Sequence, residues 1–211
     1  MFQEPPYDCD LCPRLNGFLK ELRVKYPGYH NGPVPTFGDP NPTLLIVGLA
    51  PGMHGANRTA RPFTGDWAGD LLYSTLDKFG LSSGTYGGEA NDGLTLNSVQ
   101  ITNAVRCLPP QNKPVGAECK ACRPFLTDQI RSLPSLKAIM TLGKISHDNT
   151  VRALGLRLKD YPFGHHKIYT VERDIKLISS YHCSRYNTNT KRLTEEMFHG
   201  VFKSLKDAMK A

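Results

Sequence analysis

Residues 43–66, TLLIVGLAPGMHGANRTARPFTGD, constrain the fold more than any other stretch of the chain. Thr43-Leu44-Leu45-Ile46-Val47 is an unbroken apolar run, the pattern of a strand buried on both faces. Gly48, Pro51, Gly52 and Gly55 then interrupt regular structure and let backbone approach a ligand, while His54, Asn57, Arg58, Arg61 and Asp66 crowd the same loop with polar groups. A buried strand that ends in such a loop, with a helix after it, places chemistry at the carboxyl edge of an α/β sheet. The bland alternative is a solvated Gly-rich connection. Phe63 and several charges gathered on one loop argue against it.

The remaining chain supplies the rest of that sheet. Ala68, Leu71, Leu72, Thr75, Leu76 and Phe79 recur at helical spacing, which predicts an amphipathic helix over 68–79. Strands are expected at 99–105, 136–142 and 175–181, with a helix from Lys144 to Leu154 between the last two. Leu15, Phe18, Leu19 and Leu22 mark a short early helix, and 27–42 reads as irregular connection. Cys119 and Cys122 open a helix on which Cys122, Phe125, Leu126 and Ile130 can share a face. The segment around His165-His166 reads as a loop or hairpin. A final helix over 190–209 turns Leu193, Met197, Val201, Phe202, Leu205 and Met209 inward. This βαβαβαβα order predicts an α/β fold, a three-layer α/β/α sandwich with a central four-stranded parallel sheet. Residues 1–211 are expected to form one domain, with 1–42 an N-terminal segment that carries Cys9 and Cys12.

The unusual residues fall at strand ends. The Gly-rich loop, Asn103 with Arg106, Gly143 with Lys144, and the segment from His182 to Asn187 all follow predicted strands. A parallel sheet gathers such positions along one edge, so one cleft is expected to hold them. The net charge of +7 favours a polyanionic partner. No apolar run approaches the roughly 18 residues that span a bilayer, and MFQEPPYDCD lacks the basic start and apolar core of a signal peptide. A cytoplasmic protein without membrane contact is expected.

Six cysteines form a second constellation. Cys9 and Cys12 are a C-x2-C pair, Cys107 and Cys122 are separated by x14, and Cys119 and Cys183 are left over. Thiolates from separated segments can hold zinc or an iron–sulfur cluster, and unligated core cysteines are a further reading. Spacing does not choose among them. Disulfides are disfavoured in a reducing compartment.

Two motifs carry a resemblance. GLAPGMHGANRTARPFTGDWAGDLLY resembles the first motif of the family 5 (type b) uracil-DNA glycosylases, and HCSRYNTNTKRLT resembles their second, HPSPRNxNTxRLT. NAVRCLPPQNKP and ACRPFL are similar to the segments between them. The resemblance implies an α/β/α sandwich, a 4Fe-4S cluster, and excision from DNA of uracil and other deaminated bases, hypoxanthine among them. Carried over by position, it implies cluster ligands at Cys9, Cys12, Cys107 and Cys122, with Cys119 spare. It matches Asn103 to the asparagine that reads the base edge, Phe63 to the aromatic that stacks on it, and His182 to the histidine beside the leaving base. Cys183 and Arg185 stand where the family has prolines, and Tyr186 where it has an arginine, which predicts a looser loop after His182.

The chemistry suits these residue types. A target base must leave the duplex and be held by stacking and by hydrogen bonds to its edge. An asparagine offers both a donor and an acceptor. A histidine N–H can stabilise the departing anion. Leu49 and Ala50 occupy the turn where other uracil-DNA glycosylases place a carboxylate, so Asp66, Asn57 and His54 are the candidates for polarising water or completing the base pocket with Gly48. Capping of the following helix is an equal reading for Asp66. Arg58, Arg61, Lys113, Lys144, Arg185, Asn187, Lys191 and Arg192 are candidate contacts to single- or double-stranded DNA. A monomer is expected. A zinc-stabilised nucleic-acid-binding module and a ferredoxin-like electron carrier are the alternatives from other classes.

Overall fold

The computed structural model describes residues 2–210. Helix α1 (Pro13–Lys25) starts on a proline, which is tolerated in the first turn because no intrahelical N–H is needed there. Its Leu15, Leu19 and Leu22 are buried. A two-residue strand, β1 (Phe37–Gly38), precedes β2 (Leu44–Gly48), which is buried throughout. The loop after β2 contains one helical turn, α2 (Ala56–Thr59), before α3 (Trp67–Lys78). A hairpin of β3 (Ser82–Ser83) and β4 (Thr95–Leu96) leads to β5 (Val99–Asn103). Then come α4 (Gly116–Ser132), β6 (Ala138–Leu142), α5 (Lys144–Ala153), β7 (Ile168–Thr170) and β8 (Lys176–Ser180). The chain closes with α6 (Arg185–Asn189) and α7 (Glu195–Lys210).

The main sheet has six strands in the order β1-β5-β2-β6-β8-β7. The inner four are parallel and coincide with the four predicted strands, while β1 and β7 are antiparallel edges. The expectation of four strands is corrected to six. Both additions are short and partly exposed, so neither carries the continuous apolar signal of a buried strand.

Alternation along the inner strands builds two cores. Leu44 and Ile46 point to one face and pack with Leu72 and Leu76 of α3 and Phe198, Val201 and Phe202 of α7. Leu45 and Val47 point to the other and pack with Leu126 and Ile130 of α4 and Val151 of α5. The three-layer arrangement follows, and each such side chain contributes about 1.5–3 kcal/mol by leaving water. The expected final helix is divided: Thr190–Thr194 separates α6 from α7, with Lys191 at φ 56. Phe198 is fully buried on α7, whereas Met197 and Met209 only flank that core.

Candidate active site

The parallel register sets Gly48, the last residue of β2, opposite Asn103, the last of β5. A Cβ on Gly48 would lie 2.4 Å from Asn103 Oδ1 and 2.6 Å from the Phe63 ring, so the missing side chain makes room for both. Phe63 is held at φ 55, a conformation that costs free energy in a non-glycine residue and persists where surrounding structure imposes it. Tyr86 Oη donates to its carbonyl, and Gly69 lies against the same carbonyl so closely that an added Cβ would clash. From the far side His182, just past β8, lays its ring over Phe63 at 5.9 Å between centroids and 25° between planes. Asn103, Phe63, His182 and Asp66 thereby share one cleft of about 550 Å³, the size range of small-molecule sites. Among the described residues no hydrogen bond occupies the Asn103 side-chain amide, although the residue is 3% exposed. Burial drives the His182 imidazole down to about 4, so it is neutral near pH 7 and able to donate one N–H.

Asp66 divides its two oxygens. Oδ1 caps α3 by accepting from Gly69 N at 2.9 Å, while Oδ2 faces Gly52 and Gly55, where added Cβ atoms would lie 3.2 and 3.0 Å away. The cap and the cleft-facing roles therefore coexist. Burial raises its pKa, opposed by the backbone bond from Gly69. Two other candidates are not brought into the cleft. Asn57 is fully buried and gives its Nδ2 to Asn31 Oδ1 at 2.9 Å, so it fastens the loop to the N-terminal segment. His54 is exposed and bonded to Tyr29 Oη at 3.1 Å. Leu49, Trp67, Asn112, Ser184 and Arg185 also line the cleft. Asn112 and Ser184 carry no chemical signature in the sequence and are placed by the loops on which they sit.

A family profile described as the uracil DNA glycosylase superfamily matches residues 35–206. The chain belongs to the uracil DNA glycosylase superfamily. It is 43% identical over 203 residues to a type-5 uracil-DNA glycosylase of Thermus thermophilus, an alignment that covers 94% of this chain and 92% of that protein. It is 39% identical to a type-5 uracil-DNA glycosylase of Mycobacterium bovis, covering 94% and 77%, and 35% identical to one of Pyrobaculum aerophilum, covering 93% and 87%.

In this superfamily member the candidate DNA contacts differ in their surroundings. Arg185 is exposed on the cleft wall, its guanidinium 5.9 Å from the Trp67 ring. Lys144, Asn187 and Arg192 line an adjoining hollow beyond His182, where Lys144 pairs with Asp148, Arg192 lies over Tyr181 and Asn187 Nδ2 donates to His182 O. Arg58 is tied to Glu89 at the surface. Arg61 departs from expectation. It is 3% exposed and clasps Asp92 with both terminal nitrogens, at 2.8 and 2.6 Å, which holds the Asp92 carboxyl well below the usual range. A guanidinium so enclosed is unable to reach a phosphate on the surface.

All six cysteines are free. Cys9, Cys12, Cys107 and Cys122 line one small cavity between the N-terminal segment, the loop after β5 and α4. Cys119 does not line it and packs with Leu15 and Val105. Burial, reinforced by the other cysteines, pushes the Cys12 thiol up to about 11 and Cys107 further in the same direction. Beside them lies Arg106, 1% exposed and bonded to Glu4, Thr36 and Gln129; its backbone N–H donates to Cys122 Sγ at 3.4 Å.

Proposed function

We propose that this chain is a DNA-repair glycosylase that flips uracil, and other deaminated bases such as hypoxanthine, into the cleft and hydrolyses the N-glycosidic bond to leave an abasic site. The observation that carries the reading is the convergence of the free Asn103 amide, the Phe63 ring and His182 on one cleft. The Asn103 amide matches the O4 and N3–H edge of uracil, one donor and one acceptor. Phe63 supplies a stacking face. Cleavage of the bond to C1′ leaves its electron pair on the base, and a neutral His182 N–H stabilises that anion by hydrogen bonding. Water adds to C1′ and gives up a proton, for which Asp66 Oδ2 is the acceptor in the Gly-rich loop. Arg185, Lys144, Asn187 and Arg192 hold DNA phosphates around the cleft. The names of the type-5 relatives support the same reaction, and a site lined by the residues of one chain supports a monomer.

Cys9, Cys12, Cys107 and Cys122 fit a 4Fe-4S cluster. All four line one shared cavity and come from three separate segments, the N-terminal stretch, the loop after β5 and α4, the donor set such a cluster needs. The cluster would tie the N-terminal segment to α4, and the buried Arg106 charge would offset the negative charge of its thiolates. Base release from single- and double-stranded oligonucleotides containing uracil or hypoxanthine tests the proposal. Release of free base is expected; binding without release would favour the nucleic-acid-binding module.

A further inference from the structure

Next to the cleft stands an aromatic group that the reaction does not use. Tyr26 and Tyr29, in the turn that ends α1, are stacked with centroids 5.1 Å apart and planes 22° apart. His54 meets both edge-on, at 6.2 and 6.0 Å, and shares a hydrogen bond with Tyr29 Oη. Tyr26 leans on the core formed by Leu19, Leu22 and Leu108, and Tyr29 stacks on Tyr26. All three are partly or fully exposed, and Lys25 Nζ lies 5.5 Å from the Tyr26 ring. The group is fixed in place. His30 and Asn31 donate backbone N–H groups to Arg58 O and Asn57 O at 3.1 Å, and Asn31 is bonded to Asn57 through side chains as well. His54 is two residues past Gly52, which lines the cleft, so the backbone that carries this group runs directly from the cleft wall.

Rigid aromatic rings beside a cation, on a chain of net charge +7, have the chemistry of a stacking surface for unpaired nucleobases. We propose that Tyr29, backed by Tyr26 and His54, is a stacking platform for an unpaired base flanking the flipped nucleotide, so that a single strand is held at two points. The inference takes the identity of the strand from the glycosylase reading. In a duplex the flanking base is stacked in the helix and unavailable, so the platform favours single-stranded DNA.

The test measures equilibrium binding, by fluorescence anisotropy, of a single-stranded oligonucleotide with a central tetrahydrofuran abasic analogue, which needs no catalysis. Tyr29→Ala is expected to weaken binding about tenfold, and Tyr29→Phe, which keeps the ring, by about twofold or less. Replacing the flanking bases by abasic spacers, on each side in turn, should weaken wild-type binding to a similar extent on one side and leave Tyr29→Ala unaffected there. Unchanged binding by Tyr29→Ala, or equal loss on intact and spacer strands, would overturn the proposal. The spacer series on wild-type protein decides the matter if Tyr29→Ala does not fold: no loss on either side overturns it. A platform signature in a protein that releases no uracil would sink the glycosylase reading and leave the platform standing.

Discussion

Gly48 and Asn103 are paired positions on adjacent strands, and the bare backbone of one is what gives the other its place. Gly48→Ala is therefore expected to displace Asn103 and Phe63, lowering stability by about 1–3 kcal/mol and single-turnover base release by at least about a hundredfold. Thermal melting and a release assay check both numbers. The pH profile is a second prediction at this scale. His182 stays neutral until about pH 4, so release should show no inflection near 6.5. An acid limb is expected where Asp66 takes up a proton, above the ordinary carboxylate range, and Asp66→Asn should slow release and abolish that limb. Stability follows a related sign: between pH 6.5 and about 4 only the unfolded chain protonates His182, so this residue lowers stability as the pH falls through that window. Asn103, Phe63 and His182 are legible in the sequence because each sits in a recognisable motif close to a strand end or in the first loop. Asn57 and Arg61 are not, because Asn31 and Asp92, their partners from distant segments, decide which way they turn.

The segment after His182 shows what elements add. Its lost prolines predict looseness, yet it forms α6, capped by Ser184 and fastened to α3 at two points. Cys183 is fully buried with Sγ donating to Ala68 O at 3.4 Å, and Trp67 Nε1 donates to Thr188 Oγ1 at 2.9 Å. The thiol contact is one that a proline side chain could not make. Trp67→Phe should cost about 0.5–1.5 kcal/mol and raise KM for DNA more than it lowers kcat, because α6 carries Arg185 and not the reacting groups. An unchanged KM would show that the Trp67 bond does not position α6. Inner strands and long helices are legible because burial writes continuous or periodic apolar patterns. The break over 190–194 is harder to read, since Leu193 keeps the helical spacing across it; the local signal is Thr194, whose Oγ1 accepts from Met197 N at 3.2 Å and caps α7.

At the scale of the whole molecule, the sheet gathers the chemistry at one edge and the cysteine cavity binds the N-terminal segment to the body. For the proposed cluster, Cys122→Ser should abolish iron incorporation and visible absorbance and lower Tm, whereas Cys119→Ser should keep iron, because, of these two residues, Cys122 alone lines the shared cavity. Iron analysis and absorbance separate the two. Among the described residues no helix is long and apolar enough to cross a membrane. In the proposed reaction Asn103 reads a base edge while His182 stabilises its departure. Single-turnover release of uracil from DNA tests these roles most directly, with Asn103→Ala and His182→Ala beside the wild-type protein. Wild-type protein should release uracil, and each variant should lose at least about a hundredfold, with folding and iron content retained. Release by both variants at the wild-type rate would contradict these roles.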